Sequence, residues 1–192
     1  MIRTGASRAV QLALALFLAG CGGLGLAGPP ATTARLSGGV VLDTPDGYCV
    51  DRRIRHSGGD GAVAVVAACR NLPGGQDADP VAPVIMTVTV GPEGVTDLPD
   101  PDALAEVAQA TLVSVQREDG LLLAQLDGAG GSSLPDAAGR HWRGAFRQGD
   151  RLVALALYAP DGSVHSGASG AVMLRAVADR IVTATAAAAA AE

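Results

Sequence analysis

The chain has 192 residues, enough for one domain, and is 48% hydrophobic but only 3% aromatic, so most of its apolar side chains are small. All fourteen basic residues are arginines, which excludes a Walker A lysine and a lysine Schiff base. The formal net charge of −5 argues against a nucleic-acid partner, because phosphates require a basic surface.

The N-terminal segment is typical of an export signal. Arg3 and Arg8 give it a positive start, and the uncharged apolar run Ala9–Ala19 follows. This run is too short to cross a bilayer, which needs about 20 apolar residues. The segment therefore predicts a signal peptide over residues 1–20.

The end of this segment, Leu18-Ala19-Gly20-Cys21, resembles the lipobox of bacterial lipoproteins at all four positions. The resemblance implies cleavage before Cys21 and attachment of acyl chains such as palmitate there, which anchor the protein in a membrane. In that family an aspartate after the cysteine favours the inner membrane, so Gly22 implies the outer membrane, on its periplasmic face. A plain signal peptide with an incidental cysteine is the alternative.

If Cys21 carries lipid, Cys49 and Cys69 remain as an even pair, and an oxidising periplasm favours a disulfide between them. Turn residues at 57–61 lie midway between the two, so a hairpin centred there would place Cys49 opposite Cys69. The bridge would stabilise the fold by roughly 3 kcal/mol. Two buried free thiols are the alternative.

Composition divides the rest of the chain. Residues 21–39 are rich in Gly, Pro, Ala and Thr without periodicity, which predicts a flexible lipidated tether. A single domain is expected over residues 40–187, followed by a frayed tail at 188–192.

The domain begins with predicted strands and then a helix. The strands are Val40–Leu42, Gly47–Asp51, Ala62–Cys69 and Val84–Val90. Asp100-Pro101 is typical of a helix start, and apolar residues at helical spacing extend that helix to a stop at Gly120. This stripe consists of Leu104, Val107, Ala108, Thr111, Leu112 and Val115.

Three strands and a helix complete the predicted order. Leu121–Leu126 is followed by a hairpin over 140–159, in which a Gly149-Asp150 turn pairs Gln148 with Arg151. Alternation gives the hairpin a core face of Trp142, Phe146, Val153, Leu155 and Leu157. Its other face carries His141, Arg143, Arg147, Leu152, Ala154, Ala156 and Tyr158. The last helix begins at Ala171 and buries Met173, Leu174, Val177, Ala178 and Ile181.

This order predicts an α+β fold, a mainly antiparallel sheet of about six strands with two helices, in the order strands, helix, three strands, helix. Element order over residues 40–187 is similar to the PsbP-like fold, a resemblance that carries no functional motif. The stretch Pro45–Asp51 with a later cysteine also resembles small bacterial envelope proteins of unassigned function.

Few residues predict chemistry. The histidines His56, His141 and His165 stand apart from each other, are expected to be solvated or half-buried, and predict no metal site. Ser169 has the surroundings of a weak nucleophile elbow but is better explained as a helix N-cap. The aspartates of residues 77–102 lack the pattern of a calcium loop. No cofactor is expected.

One cluster has a shape that suits binding. His141, Arg143, Arg147 and Tyr158 share one face of the hairpin and predict a site for an anionic group or a partner. An ordinary solvated sheet face, or side chains covered by a helix, is the alternative.

We therefore expect an outer-membrane lipoprotein that acts as a non-enzymatic binding or accessory module for an envelope protein. One alternative is a carrier of an apolar ligand in a cavity lined by Trp142, Leu155 and Leu174. The other is a hydrolase whose acid and base lie on separate loops, as two carboxylates facing each other across a cleft.

Overall fold

The structure is a computed structural model that describes residues 29–52, 56–58, 60–128 and 137–192, with the main chain only at 56–58. It confirms the α+β class. The strands are β1 Thr33–Arg35, β2 Val41–Asp43, β3 Tyr48–Val50, β4 His56–Gly58, β5 Gly61–Ala68, β6 Ile85–Glu93, β7 Ala110–Glu118, β8 Leu121–Gly128, β9 Arg140–Gln148 and β10 Arg151–Tyr158. The helices are α1 Pro101–Val107 and α2 Ala168–Ala189.

Eight of these strands form one antiparallel sheet in the order β3-β5-β6-β10-β9-β8-β7, with β4 also paired to β5. β1 and β2 form a separate two-stranded ribbon. The main sheet is therefore larger than the predicted six strands. The additions are β4, from a segment with no strand pattern of its own, and β7, from the second half of the predicted first helix.

One face of the sheet is covered by α2 and the β1–β2 ribbon. The core between them contains the predicted apolar face of the hairpin and the predicted stripe of α2, whose Leu174, Val177, Ala178 and Ile181 are all buried. Met173 packs at the margin of this core. The hairpin register is confirmed, with Gln148 paired to Arg151 and Trp142 to Leu157.

The predicted first helix is wrong in its second half. Asp100 does cap α1, accepting a 2.8 Å hydrogen bond from the amide of Asp102, but the helix ends at Val107. Gln109 then turns the chain with a positive φ of 52°, and β7 begins. β-Branched residues at 111, 113 and 115 favour a strand, and pairing with β8 satisfies the backbone. Four strands, not three, therefore separate the helices.

α1 lies on the sheet face opposite α2. Leu104, Ala105 and Ala108 pack against Ala124 and Leu126 of β8. Beyond α1, β7 is an edge strand whose register with β8 shifts between Leu112 and Ser114, and its last three residues are exposed. α1 has only seven residues, and side chains on this face of β5, β6 and β10, such as Val63, Thr87 and Ala154, remain at least partly exposed.

The ordered domain begins before Val40, so the predicted tether over 21–39 is too long. Ala31 bridges to Val50, and Ala34 and Leu36 are buried in the core. Their two-residue spacing is a strand pattern that the Gly- and Pro-rich composition conceals. The predicted domain limit at 187 is short as well, because α2 continues to Ala189.

The disulfide between Cys49 and Cys69 is present, with the two Cα atoms 4.9 Å apart. The register that led to it is wrong, because Cys49 pairs with Ala67. Val50 pairs with Val66 of β5, and His56 pairs with Val63. Six positions therefore separate the two residues on one side of the hairpin but only three on the other, and this difference shifts the register. Cys69 therefore lies just beyond β5, at the start of a 3-10 turn.

Candidate functional site

The four residues of the predicted site lie in two places. His141, Arg143 and Tyr158 are in contact with one another on the α1 side of the sheet. Arg147 lies four residues beyond Arg143 in β9, which corresponds to about 14 Å along an extended strand. It lines a different cleft, next to Phe146. The predicted face is therefore not one site.

His141 is completely buried, contrary to the expectation of a solvated or half-buried histidine. Its Nδ1 lies 3.0 Å from the carbonyl oxygen of Gly139, and its ring stacks on Tyr158 with the ring centres 5.4 Å apart. Burial, with a smaller effect of Arg143, lowers the pKa of His141, although Gly139 and Asp127 oppose this. The ring is thus neutral at pH 7, and Nδ1–H donates to Gly139. His141 supports Tyr158 and presents no charge to an anion.

Arg143 is the cation of this cluster. Its guanidinium carbon lies 5.3 Å from the centre of the Tyr158 ring, a cation–π contact. The side chain is half-buried, and its Nε is buried without a hydrogen-bond partner among the described residues. No ion pair of Arg143 is present in that part of the chain.

Arg143 also lines a groove of about 150 Å³ between α1 and the sheet, which we call the α1 groove. The lining is otherwise apolar or uncharged: Thr87, Thr89, Leu104, Val107, Ala108, Gly144, Ala154, Leu155 and Ala156. Val107, at the end of α1, is 86% exposed. The apolar surface continues onto β5, where Val63 is 37% exposed.

Arg147 belongs to a larger cleft of about 520 Å³ beside the middle of α2, which we call the α2 cleft. Its lining combines apolar and charged side chains: Thr96, Leu98, Glu118, Asp119, Leu121, Phe146, Arg147, Arg175, Ala178, Asp179 and Val182, together with Gly120. The acidic residues of this cleft belong to no recognisable motif in the sequence. Asp119 and Asp179 lie sixty positions apart, and only the packing of α2 against the β7–β8 turn brings them to one cleft.

The three residues named for the apolar carrier do not line one cavity together, and only Leu155 borders the α1 groove. Trp142, Leu155 and Leu174 are at most 2% exposed in the core, and neither Trp142 nor Leu174 borders the α1 groove or the α2 cleft. Ser169 is not the N-cap of α2. The helix begins at Ala168, so Ser169 lies within its first turn and Gly167 occupies the cap position.

For the hydrolase alternative, three carboxylates line the α2 cleft: Asp119, Asp179 and Glu118, the last of which is ion-paired with Arg175. A general acid near neutral pH needs a carboxyl group that burial keeps protonated. All three side chains are exposed and lack this burial. Within the described residues, no group of three or more His, Cys, Asp or Glu has the arrangement of a metal site.

No known protein family, curated protein or solved structure matches this chain. The similarity to lipoproteins therefore rests on residues 18–21, which lie outside the described residues. Neither helix in the described part of the chain has the length and apolarity to span a bilayer.

Proposed function

We propose that the protein is a lipid-anchored protein of the bacterial cell envelope, held at the outer membrane through Cys21 and facing the periplasm. The lipobox resemblance of Leu18-Ala19-Gly20-Cys21 supports the anchor. The Cys49–Cys69 disulfide uses the other two of the three cysteines, and such bonds are typical of exported proteins. Each acyl methylene buried in the membrane would contribute about 0.8 kcal/mol to anchoring.

The domain itself is a non-enzymatic binding module, and the α1 groove is its binding site. The observation that carries this proposal is the state of Arg143, a half-buried cation in an otherwise uncharged groove. Withdrawing a charge from water is unfavourable unless a counter-charge compensates for it. A carboxylate from a partner would pair with the guanidinium in a bidentate arrangement, which Tyr158 holds in place from behind.

The size of the groove selects the occupant. A cavity of about 150 Å³ accommodates a group about the size of benzene, so the α1 groove fits one apolar side chain and is too small for an acyl chain. The chemistry that complements both features is a peptide segment with a large apolar side chain beside a carboxylate. We assign that segment to an envelope protein, because a protein partner supplies both groups on one chain.

A photo-crosslinking amino acid at Val107 tests this assignment in intact cells, because this residue borders the groove and is 86% exposed. Val172, on α2 and 64% exposed, is the matched control position. We expect a crosslinked protein at Val107 that is absent at Val172, and mass spectrometry should locate its crosslink beside an acidic residue or a C-terminal carboxylate. Added salt should weaken the crosslink, as it screens the ion pair.

The substitution Arg143→Gln should abolish this crosslink, whereas Arg147→Gln, in the other cleft, should leave it unchanged. Equal crosslinking in the Arg143→Gln protein, or a crosslinked segment without an acidic group, would show that the α1 groove is not the site. Thermal melting of both variants controls for unfolding, and a much lower melting temperature for Arg143→Gln alone would make Arg143 structural.

The anchor is tested separately by labelling with a fatty-acid analogue. The Cys21→Ser protein should carry no label and should retain residues 1–20, since the lipoprotein peptidase requires the modified cysteine. Undiminished labelling of this variant would overturn the anchor while leaving the groove proposal intact.

A further inference from the structure

The α2 cleft has the dimensions of a small-molecule site. Its volume of about 520 Å³ falls within the range of roughly 300–1,000 Å³ for ligand pockets. Leu121, Phe146 and Ala178 line it and belong to the buried core, so the floor of the cleft is apolar. Leu98, in the connection between β6 and α1, and Val182 of α2 add apolar surface, with exposed fractions of 38% and 45%.

Two of the charges in the cleft neutralise each other. Arg175 of α2 forms an ion pair of 2.9 Å with Glu118 at the end of β7. The same guanidinium donates a hydrogen bond of 3.3 Å to the side-chain oxygen of Gln116. Arg175 is thereby turned toward β7, away from the carboxylate four residues along its own helix, with which it could otherwise pair.

Three charges remain for a ligand. Arg147, Asp119 and Asp179 are exposed, border the cleft, and form no ion pair within the described part of the chain. Asp119 is held in place by the two-residue turn between β7 and β8, in which Asp119 and Gly120 both have positive φ, 48° and 80°. Asp179 is held by the helix, so neither acidic group depends on a long loop for its position.

This combination matches neither a simple anion nor a simple cation. An anion would approach two carboxylates, and a cation would leave Arg147 without a counter-charge. We propose that the α2 cleft binds a small zwitterion, with an ammonium group at Asp119 and Asp179, an acid group at Arg147, and an apolar part against Leu98 and Val182. A hydrophobic dipeptide and a phosphoethanolamine headgroup share this pair of opposite charges, and the dipeptide also supplies the apolar part.

Calorimetric titration of the detergent-solubilised full chain tests the proposal. The probes are leucyl-leucine, its C-terminal amide without the acid group, its N-acetyl form without the ammonium group, and glycerophosphoethanolamine. We expect saturable binding of at least one zwitterion, and about tenfold weaker binding when a dipeptide ligand loses either charge. Binding of the dipeptide alone assigns a peptide ligand, and binding of the phosphodiester alone assigns a lipid headgroup.

Two variants locate the site. Arg147→Gln should weaken binding of the zwitterion but not of a ligand without its acid group, and Asp179→Asn should weaken binding of the zwitterion but not of a ligand without its ammonium group. Arg70→Gln and Asp161→Asn change exposed residues outside the cleft and should have no effect. The proposal is wrong if no zwitterion binds, if the amide and the N-acetyl form bind as tightly as the dipeptide, or if binding survives both cleft substitutions.

Discussion

The indole nitrogen of Trp142 donates a hydrogen bond of 2.9 Å to the carbonyl oxygen of Gly167, the residue directly before α2. This bond joins the centre of the sheet to the start of the helix. Gly170 is the third residue of α2. It lies so close to the indole that a Cβ atom at this position would be 2.5 Å from Cδ1 of Trp142. The sheet and the start of α2 are therefore in close contact at this point.

Gly170→Ala should destabilise the protein, although the same change in a helix interior normally stabilises by about 0.5–1 kcal/mol. The new methyl group would overlap Trp142 and the carbonyl oxygen of His165, and overpacking of this kind costs about 1–3 kcal/mol. Urea unfolding followed by the fluorescence of the single tryptophan measures it. Ser169→Ala, at the exposed neighbouring position, is the control, and equal stability of both variants would contradict the prediction.

The disulfide should contribute about 3 kcal/mol to the free energy of unfolding, because it closes a loop with a sequence separation of 20 residues. Cys49→Ala combined with Cys69→Ala should remove this contribution, measured by urea unfolding of the exported protein. Reductant should lower the stability of the native protein toward that of the double variant and leave the variant unaffected. A double variant as stable as the native protein would exclude a structural role for the bond.

Two arginines near the same hairpin turn should respond differently to substitution by glutamine. Arg151 has a side chain only 11% exposed and donates to the carbonyl oxygens of Asp60 and Gly91, at 2.6 and 3.0 Å. Arg151→Gln should leave these two carbonyl oxygens without a donor. We expect this to lower the free energy of unfolding by about 1–3 kcal/mol for each buried acceptor left unsatisfied. Arg147→Gln, at an exposed position, should stay within about 0.5 kcal/mol of the native stability. Similar melting temperatures for both variants would refute this distinction.

His141 should make stability depend on pH. Burial lowers its pKa in the folded state below the ordinary value of 6.5, so the unfolded chain binds the proton more tightly. The stabilisation is complete above pH 6.5 and is lost as the pH falls toward the lowered value, by at most about 1.4 kcal/mol per pH unit. His141→Phe, which keeps a ring against Tyr158, should flatten this part of the curve. Parallel curves for both proteins between pH 7.5 and 5.5 would contradict the assignment.

Local patterns were sufficient where the fold is local. The hairpin of β9 and β10 was predicted to its register because a two-residue turn and side-chain alternation both lie within its own sequence. The same reasoning failed at 108–118, where the apolar residues fit helical spacing as well. The choice between helix and strand is made there by β8, through backbone pairing that no property of the segment itself reveals.

The site shows the same limit. Alternation placed Arg143 and Tyr158 on one face correctly, since both belong to the hairpin. It did not predict that His141 would be buried or that Arg147 would border the α2 cleft, where the β7–β8 turn meets α2. Those outcomes depend on contacts between elements that are far apart in the chain.

The irregular edge of the sheet also affects how copies of the protein meet. A straight, apolar edge strand offers its free amide and carbonyl groups to a neighbouring molecule and promotes aggregation. β7 is interrupted by its register shift after Leu112, and its far end carries the exposed side chains of Gln116, Arg117 and Glu118. Copies crowded side by side would therefore misalign at this edge instead of joining into one continuous sheet.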